Sequence, residues 1–112
     1  MNERDRLHFS YIRESIELID DYTASGKEDF FRRPLIQDAV LRRLETLADA
    51  ATKLPADVKE RHPEIPWEQL RAFRNIAAHG YREIDLQRVW QTVDEDLRIL
   101  MKVVDRELPA NC

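Results

Sequence analysis

Residues 85–108 read DLQRVWQTVDEDLRILMKVVDREL, and this run decides the fold. Leu86, Val89, Trp90, Val93, Leu97, Leu100, Met101, Val104 and Leu108 recur every three or four residues. That is the spacing of one face of an α-helix. Asp85 stands just before the first of them, where a side-chain oxygen can accept the free N–H groups of a helix start. Pro109 closes the run. The stripe is wide enough to serve both the chain's own bundle and a second copy of the chain.

The same period extends upstream. Ile12, Ile16 and Ile19 form a stripe, flanked by Leu7, Tyr11 and Leu18, that predicts a helix over about 3–25, with Gly26 as its stop. Asp29-Phe30-Phe31 reads as a short connection whose aromatics cover the end of the core. Pro34 suits the first turn of a second helix, since its missing N–H costs nothing there. Leu35, Ile36, Ala39, Val40, Leu44, Leu47, Ala51 and Leu54 carry that helix to about Lys53, opposite a charged face of Arg42, Arg43, Glu45 and Asp49. Between Pro55 and Pro66, residues 57–61 have room for one helical turn. Pro66 opens a third helix, with Trp67, Leu70, Phe73, Ile76 and Ala77 inward, that ends at Gly80. No strand pattern, repeat or low-complexity tract is visible. The expectation is an all-α single domain over residues 1–112: an antiparallel, up-and-down four-helix bundle with a short extra helical turn.

Composition narrows the function. No stretch is apolar for long enough to span a bilayer, and the charged N-terminus leads into no signal-peptide core. The single cysteine, Cys112, permits no intrachain disulfide or cysteine zinc site, so a cytoplasmic protein is expected. His8 and His62 have no companions at zinc-ligand spacing; His62 is expected to be solvated, and neither a metal nor a cofactor is expected. The net charge of −4 and pI near 5.4 disfavour general nucleic-acid binding. Residues 71–82, however, carry Arg71, Arg74 and Arg82 with no acid among them.

That segment contains Arg74-Asn75-Ile76-Ala77-Ala78-His79-Gly80-Tyr81. Asn75 and His79 share a helix face, while Arg74 starts about 140° round from His79. Histidine moves protons near neutral pH, and the arginine fork matches phosphate oxygens. Together they suit cleavage of RNA by its own 2′-hydroxyl, with no metal. Asn75 and Tyr81 are placed to assist. By spacing alone a different account stands beside this one: a histidine at a helix C-terminus also suits the negative end of the dipole.

The arginine, the polar residue after it and His79-Gly80-Tyr81 resemble the RxxxxHxY motif of HepT-like proteins in the HEPN superfamily. Leu44 to Ala51 resembles the family's second-helix segment, with Ala48-Asp49 where the family often has Gly-Glu. Pro63 to Trp67 and Asp85 to Val93 resemble the flanks of the motif helix. The resemblance implies a HEPN-like helical homodimer, with or without further assembly, whose paired motif helices form a ribonuclease cleft around catalytic Arg74 and His79. It implies supporting roles for Asn75, Tyr81 and Asp49. It also implies a partner, a minimal nucleotidyltransferase antitoxin that transfers AMP to Tyr81 and so silences the toxin. The competing expectation is a non-catalytic nucleotide- or partner-binding subunit of a nucleotidyltransferase, which the acidic pI favours.

Overall fold

The computed structural model describes residues 1–75 and 84–108, and every element among them is helical. Asn2 starts α1 (Glu3–Tyr22): its side chain accepts the Asp5 N–H at 2.8 Å, and Glu3 and Asp5 put negative charge in the first turn. Phe9, Ile12, Ile16 and Ile19 run down its buried face. Thr23 ends the helix, its N–H and its hydroxyl both donating to the Ile19 carbonyl. Gly26 then adopts a φ of 102°, a backbone state that side-chain-bearing residues rarely take, and the chain turns.

The expected connection at Asp29-Phe30-Phe31 is instead a short helix, α2 (Lys27–Arg32). Six residues are too few to display a period, so the sequence could not announce it. Arg32 closes on Asp29 at 2.8 Å within it. The aromatics do cover the end of the core. Phe30 is fully buried, Phe31 meets it edge-on at 5.2 Å, and Trp90 lies 5.3 Å away.

Helix α3 (Pro34–Thr52) has proline in its first turn. Gln37 donates to the carbonyls of Phe30 at 2.9 Å and Phe31 at 3.2 Å, which satisfies acceptors left open at the end of α2. Val40, Leu41, Leu44, Leu47, Ala48 and Ala51 form the inward face. Leu35, expected in that stripe, stands 73% exposed. Lys59, from α4 (Ala56–Arg61), donates to the Thr52 carbonyl at 3.1 Å and so caps α3.

His62 departs from its expected solvated state. It is buried, with Nε2 2.6 Å from Glu107, which also accepts from Arg61 at 2.9 Å. Burial pushes the Glu107 carboxyl up, but the hydrogen bonds and charges of His62 and Arg61 outweigh it and hold the group below its ordinary value. The partner lies 45 residues downstream, so nothing local to His62-Pro63 reveals it.

The expected third helix begins as α5 (Trp67–Arg71) and tightens to a 3₁₀ turn at Ala72–Asn75. Its projected continuation to Gly80 lies outside the described residues. Asp85 caps α6 (Leu86–Gln91), accepting from the N–H groups of Gln87 at 3.0 Å and Arg88 at 3.4 Å. A π-helical turn at Thr92–Asp96 leads into α7 (Leu97–Glu107). Most of the wide stripe is buried within the chain itself, including Val89, Val93, Leu97, Leu100 and Val104.

Cross-links fix the directions. Asp20, near the end of α1, holds Arg98 at the start of α7 through contacts of 2.6 and 3.1 Å. Arg13, further back in α1, donates to Asp105 at 2.9 Å and to the Leu108 carbonyl. The two helices therefore run antiparallel. Helices α1 and α3 form the most extensive pair. Among the described residues no helix is long and apolar enough to cross a membrane. Leu44 is fully buried between elements, so Leu44→Ala should cost about 2–5 kcal/mol in urea unfolding. Leu35→Ala should stay within about 0.5 kcal/mol of wild type.

Candidate nucleic-acid groove

The charged edge of α3 and the start of α1 enclose an open groove of about 760 Å³. Antiparallel packing creates it by bringing the first turns of α1 beside the last turns of α3. One wall is Leu7, His8 and Tyr11 from α1. The other is Arg42, Glu45, Thr46, Asp49, Ala50 and Lys53 from α3, and Arg74 stands at one end. Among the described residues its cations are Arg42, Lys53 and Arg74 and its carboxylates Glu45 and Asp49, an excess of one positive charge in a chain of net charge −4.

Asp49 organises that end. One carboxylate oxygen accepts from Arg74 Nε at 3.2 Å and the other lies 3.0 Å from Lys53 Nζ. Aspartate, one methylene shorter than glutamate, is long enough here because the 3₁₀ turn at Ala72–Asn75 packs directly on α3. Hydrogen bonding from Lys53 is the leading cause that holds the Asp49 carboxyl below its ordinary value; partial burial opposes it, and Arg74 adds to it. Asp49 grips Nε rather than the terminal nitrogens of the guanidinium. The Arg74 side chain remains 45% exposed.

Of the expected site residues, then, Arg74 and Asp49 are brought together across 25 positions of sequence. Asn75 lies in the 3₁₀ turn beside Arg74. His79 and Tyr81 lie outside the described residues. Glu45 and Asp49, one turn apart, each face a cation, with Arg42 Nη1 2.8 Å from Glu45. Sequence reading left Arg42 on a charged face where it could hold a phosphate or simply meet water, and missed Lys53 and the α1 wall. Lys53 carried a signal, an acid–base pair four residues apart on one helix. Leu7, His8 and Tyr11 carried none, since only the packing of α1 on α3 aims them here. Among the described residues no three His, Cys, Asp or Glu side chains gather as metal ligands.

Residues 12–107 match the family described as ribonuclease HepT-like. The chain belongs to that family. A HepT-like relative from Thermococcus cleftensis, "Probable ribonuclease HepT", is 40% identical over 96 residues, covering 82% of this chain and 87% of its own. A second, from Methanocaldococcus jannaschii, is named "Gamma-glutamylcyclotransferase and putative RNase". It is 37% identical over 98 residues, covering 87% of this chain, which spans only 44% of that longer protein. No solved structure matches the chain. Family membership places this all-α fold in the HEPN superfamily and in a family of ribonucleases.

Both partners of the Arg74–Asp49 pair are half exposed, so Asp49→Asn should cost less than about 1 kcal/mol at pH 7. A depressed folded-state carboxyl stabilises fully above its ordinary value, here 3.8, and the contribution is lost as pH falls through the lowered value. The stability gap between wild type and Asp49→Asn, followed by urea unfolding, should shrink below pH 3.8 and close on further acidification.

Proposed function

We propose that this HepT-like chain is the endoribonuclease toxin of a type II toxin–antitoxin pair. It cuts RNA by attack of the 2′-hydroxyl on the adjacent phosphate, and no metal takes part. The observation that carries the reading is Arg74: half exposed, tethered by Asp49, in a locally positive groove. Family membership and the relatives' names support the same class of reaction.

In this mechanism the terminal nitrogens of Arg74 meet the non-bridging phosphate oxygens, where negative charge builds in the transition state. His79 takes the proton of the 2′-hydroxyl as its oxygen bonds to phosphorus. The bond from phosphorus to the 5′ oxygen breaks, and that oxygen receives a proton from the imidazolium of a twin subunit. Asn75 orients the imidazole, and Tyr81 supplies a second donor. Asp49 acts through Arg74 as a positioning residue. The active unit is a homodimer, working in the cytoplasm.

Control comes from a minimal nucleotidyltransferase antitoxin. The Tyr81 oxygen takes AMP from ATP and pyrophosphate leaves. The added phosphate is bulky and negative beside Arg74 and His79, so it opposes binding of another phosphate. A second reading, a non-catalytic partner-binding subunit, draws on the acidic total charge and on the carboxylates in the groove.

Purified protein should cut RNA in EDTA and leave 2′,3′-cyclic phosphate ends. His79→Ala and Arg74→Ala should each lower the rate by about 100-fold or more. Undiminished cleavage by His79→Ala would assign the activity elsewhere. Expression without the antitoxin should arrest growth under the first reading and be harmless under the second.

A further inference from the structure

The α1 wall of the groove has chemistry that the cleavage mechanism does not use. Leu7 is 60% exposed at the rim, an apolar side chain left in water. One turn on, Tyr11 presents a partly buried aromatic ring. Between them the Nδ1 atom of His8 is buried with no hydrogen-bond partner among the described residues. Across the groove stand Arg42 and Lys53, and the end is Arg74. One wall is thus apolar and aromatic, and the other carries two cations and two carboxylates, with Arg74 adding a third cation at the end.

We propose that this groove is a single-stranded RNA subsite: an unpaired base stacks on Tyr11 and Leu7, while Arg42 and Lys53 hold the flanking phosphates. The inference rests on the ribonuclease reading and deepens it by naming the substrate class. A base face is available only where the strand is unpaired, because in a duplex it is stacked and its edges are paired. Aromatic stacking together with a cationic track is the general means of holding single strands. The positive groove supplies charge complementarity that the acidic chain as a whole lacks.

The test uses the full chain and a fluorescent 2′-fluoro RNA, which has no nucleophile and cannot be cut, with anisotropy as the readout. The single strand should bind at least about tenfold more tightly than the same strand annealed to its complement. Tyr11→Leu should weaken single-strand binding by about tenfold. One abasic position should weaken wild type to a similar degree and leave Tyr11→Leu unchanged, a coupling that a merely structural role would not produce. Lys53→Gln should flatten the salt dependence by about 0.7 of a counterion. Should Tyr11→Leu fail to fold, Leu7→Asp, at an exposed position, carries the same expectation of weakened binding.

Equal affinity for single strand and duplex would overturn the proposal. So would abasic losses identical in wild type and Tyr11→Leu, or an affinity change that appears only with a change of mass by light scattering. The last outcome would make the α1 wall a contact between copies. Binding is read without cleavage, so the two readings fail separately. Absent cleavage with intact, Tyr11-dependent binding removes the nuclease. Intact cleavage without that dependence removes only the subsite.

Discussion

The dry seam between α1 and α3 sets the position of everything else. Phe9, Ile12, Ile16 and Ile19 meet Val40, Leu44, Leu47 and Ala51 with almost no exposed surface. Burial of side chains of this size contributes on the order of 1.5–3 kcal/mol each. Ala48, Ala50 and Ala51 are buried along α3, where their small side chains leave room for a neighbouring helix. Because the two helices run in opposite senses, the seam decides which polar residues become neighbours at its edge. The groove is that edge.

Charge is arranged to a different end from stability. Exposed ion pairs contribute little to folding, and most of those here join residues on the surface. Their value is positional. Asp20–Arg98 and Arg13–Asp105 hold α7 in register along α1, while Asp49 fixes where Arg74 stands. Several acids of the last helix are spent on such partners: Asp105 on Arg13, Asp96 on Arg88 and Glu107 on Arg61 and His62.

The long helices were legible in the sequence because each repeats its apolar period over several turns; the α1 stripe, the proline start of α3 and the Asp85 cap all stand where the pattern put them. Features made by distant partners were not legible. His62 looks solvated until Glu107 arrives beside it, and Phe30-Phe31 looks like a link until Gly26 and Gln37 bound a helical turn. The pairing of Arg74 with Asp49 followed from resemblance alone, since no periodicity connects positions 25 apart. The α1 wall was invisible for the same reason: which face of α1 looks into a groove depends on the helix packed against it.

The widened turn at Thr92–Asp96 has a mechanical meaning. It lets the final helical run behave as two jointed rods, with Trp90 on the first docked against Phe30 and Leu97 to Val104 on the second keyed into the main core. Each rod can seat its own apolar side chains without forcing the other's rotation. Winding the same residues at ordinary α pitch, without the widened turn, would swing the first rod by about 100°. The aromatic lid over the end of the bundle would then lose its keystone while the far half stayed in place.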